Sequence, residues 1–131
     1  MADKDKILGL CPDFHDYFSW EEFDSPDSVD SHICMDTNFL IRLYKARKKS
    51  SKPFVISSGY RTPAHNERVG GVDNSSHTLG YAVDIRCSSS LARFEIITSL
   101  LEAGFTRIGV SGSFIHVDSD PTKPASCIWT Y

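Results

Sequence analysis

What the chain lacks narrows it first. No stretch approaches the eighteen or so consecutive apolar residues of a membrane-spanning helix, so no membrane span is expected. Met1 to Lys6 is charged, and Ile7-Leu8-Gly9-Leu10-Cys11 is too short for the apolar core of a secretory signal. Basic excess is missing too: the formal net charge is -3, and a nucleic-acid binder needs a basic stripe to meet phosphates. The one basic cluster, Lys45, Arg47, Lys48, Lys49 and Lys52, falls at the end of a predicted helix, where cations complement the helix dipole and stay solvated. Cys11, Cys34, Cys87 and Cys127 form no Cys-x-x-Cys pair, which argues against a structural zinc ribbon. Two bridges in three connectivities stay open for them, and mostly free thiols are expected because a core of this size needs no staples. There is no internal repeat, low-complexity region or linker, so residues 1–131 read as a single domain, expected to be a monomer.

What is present reads as mixed helix and strand. Residues 1 to 18 suggest a short helix or arm, and Ser25-Pro26-Asp27-Ser28 a turn. Met35, Phe39, Leu40, Leu43 and Tyr44 recur at helical spacing and predict one helix from Ser31 to about Lys49, the stripe being core. Phe54 to Ser58 reads as a strand, followed by a short helix that Thr62 caps, Pro63 opens and Gly70-Gly71 closes. Val72 to Ser76 is polar and turn-prone, suited to a loop that lines a cleft. A second long helix is expected from Leu91 to Ala103, apolar at Leu91, Phe94, Ile97, Leu100 and Leu101, with Gly104 as its cap. Thr106 to Val110 and Ser113 to Asp118 are strands joined at Gly112, close enough for an antiparallel hairpin. The fold class expected is α+β: a small antiparallel sheet backed by two helices. The tail from Pro121 to Tyr131 carries Trp129 and Tyr131, which pack on the domain or border a cleft; packing is the commoner fate of such rings, Tyr60 and Tyr81 included.

The chemistry concentrates in Ser75-Ser76-His77-Thr78-Leu79-Gly80-Tyr81-Ala82-Val83-Asp84 and in Phe114-Ile115-His116-Val117-Asp118. Alternation along a strand sends Tyr81, Val83 and Ile85 to a core and Asp84 to the other face. The same reading buries Ile115 and Val117 and turns Phe114, His116 and Asp118 outward. Neighbouring strands would then present Asp84 and His116 side by side. Gly80, free to take a backbone angle closed to other residues, would fold His77 back over the strand. Two imidazoles and a carboxylate are the ligand set of a catalytic zinc, which leaves a fourth position for water. Any one of these residues alone reads more simply as a solvated or hydrogen-bonded side chain, and Asp118 alone as a strand end before the Asp120-Pro121 turn.

Together the two segments resemble the M15 family of zinc peptidases. The resemblance extends to Phe18-Ser19-Trp20-Glu21-Glu22-Phe23 and to Ser57-Ser58-Gly59-Tyr60-Arg61-Thr62-Pro63-Ala64-His65-Asn66, and covers roughly residues 17 to 120. It implies Zn2+ held by His77, Asp84 and His116 on the open face of the sheet. It implies Arg61 as the cation that holds a substrate carboxylate or steadies charge on the attacked carbonyl. Arg42, Arg47, Arg93 and Arg107 are read as ordinary surface arginines. The implied substrate is a peptidoglycan stem peptide, cut as a D-Ala-D-Ala carboxypeptidase or an L-Ala-D-Glu endopeptidase would cut it. With no signal visible, the protein would be cytoplasmic as synthesised and reach the wall after release, as phage lysins do, or by an unseen export route.

One departure stands out. Several family members place an acid or a catalytic His a few residues before the last ligand, where this chain has Ser111, Gly112 and Ser113. Asp118 is the nearest carboxylate, either a proton acceptor or the partner that orients His116. The departure also admits a zinc-containing binding module, as in the signalling domain of hedgehog proteins, or a wall-binding component of a phage particle without turnover.

Overall fold

The computed structural model describes residues 1–131. Four helices, α1 (Lys4–Leu10), α2 (Thr37–Lys49), α3 (Pro63–Arg68) and α4 (Ser90–Glu102), accompany five strands. The strands are β1 (Ile56–Ser58), β2 (Ala82–Arg86), β3 (Arg107–Val110), β4 (Phe114–Asp118) and β5 (Cys127–Thr130), in the order β1-β2-β4-β3-β5. All neighbours are antiparallel except β5, which joins the sheet edge parallel to β3. The fold is therefore α+β with a mostly antiparallel sheet. The parallel edge strand adds to the expected sheet: Cys127 to Thr130 alternates in burial, with Ile128 and Thr130 exposed, but its residue types do not alternate with it and so do not announce a strand.

The sheet has one apolar face. Val83, Ile85, Ile108, Ile115 and Val117 are fully buried there against Phe39, Leu40 and Leu43 of α2, Ile96 and Leu100 of α4, and Phe105. Phe14, Phe18 and Phe23, from the short 3-10 turns after α1, extend the same core. The four cysteines are free thiols, two of them buried in or beside this core.

Two helices differ from expectation. The single helix from Ser31 is broken: a 3-10 turn over Ser31–Cys34 ends at Met35, which is extended at ψ 145°. Asp36 then caps α2, its carboxylate accepting from the Phe39 amide at 2.9 Å. In α4 the buried stripe is Ile96, Ser99 and Leu100, while Leu91 and Phe94 lie 81% and 70% exposed. The helix carries apolar side chains all round, so periodicity alone could not orient it; packing against α2 and the sheet did.

Candidate metal centre

The hydrogen-bond ladder sets the heart of the site. β2 and β4 pair with Asp84 directly opposite His116, and directly opposed side chains on one sheet face stand within contact distance. His116 Nδ1 lies 3.0 Å from Asp84 Oδ1. His77 arrives from the loop before β2, where consecutive turns bond Thr78 to Ser75 and Leu79 to Ser76. Gly80 closes that loop at φ 80°, and a Cβ there would come within 2.0 Å of the Cys34 carbonyl oxygen, so both backbone angle and space demand glycine. His77 Nε2 is thereby brought 3.3 Å from Asp84 Oδ1. One ligand atom from each of His77, Asp84 and His116 lies within 4.8 Å of the other two.

The outward contacts decide which atoms face inward. His77 Nδ1 sits 2.7 Å from the Gly59 carbonyl, which can only accept, so that nitrogen carries the proton. His116 Nε2 sits 2.8 Å from Asp118 Oδ2, again an acceptor. In their neutral forms both rings therefore aim a bare lone pair at a carboxylate oxygen. Three lone pairs converging in a buried place repel unless a cation lies among them, and two imidazoles with one carboxylate suit zinc. The donor set fits the metal, and both imidazoles already have the outer partner that metal-bound histidines use. No ion is present.

Positive charge in this pocket can also come from a protonated imidazole. Burial alone would raise the Asp84 carboxyl, yet hydrogen bonds from His116 and His77 hold it well below the usual carboxylate range. Burial would lower His116, but its bonds to Asp118 and Asp84 outweigh that and raise it. Asp118 is lowered on balance, with burial opposed by His116 and Arg107.

Around this centre lies a cleft of about 460 Å³. Arg61 reaches into it with every nitrogen engaged: Nε donates to Ser58 Oγ at 3.1 Å, Nη1 to Asn66 Oδ1 at 3.3 Å and Nη2 to Asp84 Oδ2 at 3.4 Å. Asp118, 1% exposed, meets His116 with one oxygen and Arg107 Nε with the other at 2.7 Å. Arg107 is thus no surface arginine. It is mostly buried, spans from Asp118 to the Pro124 carbonyl and covers the Trp129 ring. Its correction has a plain origin: the carboxylate that fixes it lies eleven residues away on the next strand, and no local pattern announces it.

Sequence reasoning also passed over a buried knot beyond β4. Asp120, read as the start of a turn, accepts from Ser76 Oγ, Thr122 and Lys123 Nζ, the last at 2.7 Å. Lys123 also donates to the Asn74 carbonyl at 2.6 Å, so the tail is tied to the loop that carries His77. Asn66, 4% exposed, likewise joins Arg61 to the loop after α3 by donating to the Val72 carbonyl at 2.8 Å. Ser111 and Ser113 sit in the β3–β4 turn and do not line the cleft.

A family model described as Peptidase M15 matches residues 17–118, which span every element from the 3-10 turn at Trp20–Phe23 to the end of β4. The chain belongs to the peptidase M15 family. A search of curated proteins finds no match. Membership supports a metallopeptidase of the kind that typically uses zinc, and the His77, Asp84 and His116 cluster is where this M15 chain could hold it. No helix is long and apolar enough to cross a membrane.

Proposed function

We propose that the chain is a zinc-dependent peptidase that hydrolyses peptide bonds in peptidoglycan stem peptides, as a D-Ala-D-Ala carboxypeptidase or an L-Ala-D-Glu endopeptidase, and acts as a monomer. The observation that carries this reading is the inward convergence of His77 Nε2, His116 Nδ1 and Asp84 Oδ1, with both outer ring nitrogens already bound to acceptors. Zinc, when bound, supplies a Lewis acid for the peptide carbonyl and makes water acidic enough to ionise near neutral pH. His77, Asp84 and His116 would hold that ion. Arg61, fixed through Ser58 and Asn66, presents its planar fork to a substrate carboxylate or to the oxyanion of the attacked carbonyl.

Of the two roles open to Asp118, its contacts favour orientation. Oδ2 is bonded to His116 and Oδ1 to Arg107 and the Asp120 amide, and the side chain is 1% exposed, so both oxygens are occupied by groups they position and water has little access to either. Asp118 keeps the proton on His116 Nε2 and the lone pair on Nδ1. Asp84 and Asp118 are the only carboxylates lining the cleft, so no unengaged acid stands ready as general base. That observation favours a second reading, a zinc-containing binding module of the cell wall or of a phage particle with weak catalysis or none.

Incubating the purified protein with muropeptides, with and without a chelator, separates the two. Chelator-sensitive release of fragments, weighed by mass spectrometry to identify the bond, supports the peptidase. One tightly held zinc with every stem peptide left intact supports the module.

A further inference from the structure

Residues 119–131 lie beyond the stretch that the family model matches, yet they build one wall of the cleft. β5 pairs in parallel with β3, setting Trp129 opposite Gly109. A Cβ on residue 109 would stand 2.6 Å from the indole nitrogen, so only glycine admits the ring at this depth. The indole lies 5.5 Å from the His116 ring at 50°, while the Arg107 guanidinium stands 5.0 Å from its centre. Tyr131, two residues on and so on the same side of the strand, tilts against Phe114 with ring centres 5.1 Å apart. Tyr131 remains 69% exposed. Three aromatic rings thus run from the metal ligands to the cleft mouth, and Arg61, Ser75, Ser76 and Lys123 supply polar groups along the same cleft.

Such a surface selects its ligand by shape and polarity. The exposed Tyr131 ring, with Phe114 and Trp129 half-buried behind it and Trp129 beneath Arg107, sets flat apolar surface beside hydrogen-bonding groups, which matches a ligand that is itself flat, apolar on one face and polar at its edge. A pyranose ring has that character, with C–H bonds on one face and hydroxyl and acetamido groups around the rim. The methyl group of an alanine residue leaves most of this wall uncovered. We infer that Trp129, Tyr131 and Phe114 form a saccharide subsite for the amino sugar that carries a stem peptide, so that glycan-linked peptides are preferred over free ones. The preference rests on the peptidase reading; the binding of sugar does not.

The test uses zinc-loaded full-length protein carrying Trp20→Phe. Trp20 stacks on Phe14 and His32 away from the cleft, and its replacement leaves Trp129 as the only tryptophan. N-acetylmuramic acid, which has no peptide bond to cut, should change the Trp129 emission saturably, and Tyr131→Ala should weaken that binding. In parallel, kcat/KM for a stem peptide linked to N-acetylmuramic acid should exceed that for the free peptide by about 10-fold through a lower KM, the size expected of one or two aromatic contacts. The ratio should fall toward unity in Tyr131→Ala, whose exposed ring can be removed without unseating β5, and in Trp129→Ala. No emission change with the sugar, or a ratio that survives both substitutions, overturns the subsite. Sugar binding with neither peptide cleaved refutes the peptidase reading and leaves the subsite standing.

Discussion

Two places in this molecule gather three metal-capable side chains within 4.8 Å: His77, Asp84 and His116 in the cleft, and Asp24, Asp30 and His32 near the N-terminal turns. By residue type they look alike. Their hydrogen bonds do not. In the second cluster Asp24 Oδ1 accepts from the His32 amide and from His32 Nδ1, both at 2.7 Å, and Oδ2 accepts from the Asp30 amide at 3.3 Å. Every contact there pairs a donor with an acceptor, and the carboxylate works as the clasp of a turn whose Asp30 takes the left-handed angle that Asp tolerates. In the cleft, with the rings neutral, the donors are spent outward on Gly59 and Asp118 and acceptors meet acceptors. The candidate metal centre thus differs from the structural knot in where the ring protons go.

The comparison breaks most severely at the ligands. His116→Ala or Asp84→Ala should reduce bound zinc from one per chain to none and abolish chelator-sensitive hydrolysis, as read by elemental analysis of the purified variants and by fragment release. Proton competition gives the same cluster a pH signature. His116 must be neutral to offer Nδ1, and its folded pKa is raised above 6.5, so zinc affinity should weaken as pH falls and begin to do so above that value. Titration against a colorimetric chelator between pH 8 and 5 follows the decline; affinity independent of pH would deny that imidazoles hold the ion.

A smaller effect is expected one contact further out. Asp118→Ala should lower zinc affinity or activity by roughly 10–100-fold, the usual loss when the outer partner of a metal-bound histidine is removed. Asp118→Asn is the sharper probe, because an amide still accepts from Nε2–H but cannot take up a proton. If Asp118 orients His116, the asparagine variant recovers much of the zinc affinity and activity lost in the alanine variant. If Asp118 is the base, kcat collapses in both while zinc affinity holds in the asparagine form.

Much of this was legible because strands and caps are local devices. Alternation placed Asp84 and His116 on one face and Val83, Ile85, Ile115 and Val117 on the other, as they stand in β2 and β4. Thr62 caps α3 as its position before Pro63 suggests. What escaped depends on partners remote in sequence. Arg107 is fixed by Asp118, Lys123 by Asn74 and Ser76, and Trp129 by the bare backbone of Gly109. The face of α4 was unreadable for a different reason: apolar residues surround the helix, so no single stripe outranks the others.

The mildest test returns to the second cluster. His32 is 3% exposed, stacks on Trp20 with ring centres 5.8 Å apart and has Nε2 buried without a partner. Replacing it by alanine removes ring packing and one of the bonds to Asp24, while the two backbone amides still hold that carboxylate. A loss of about 1–3 kcal/mol follows from the vacated space and the missing bond, partly offset because an unpartnered nitrogen leaves the interior with the ring. Denaturant unfolding of His32→Ala should show that loss with bound zinc unchanged. A fall in zinc content on mutating His32 would mean that the acceptors of the N-terminal cluster also face an ion, and that the direction of lone pairs does not separate the two sites.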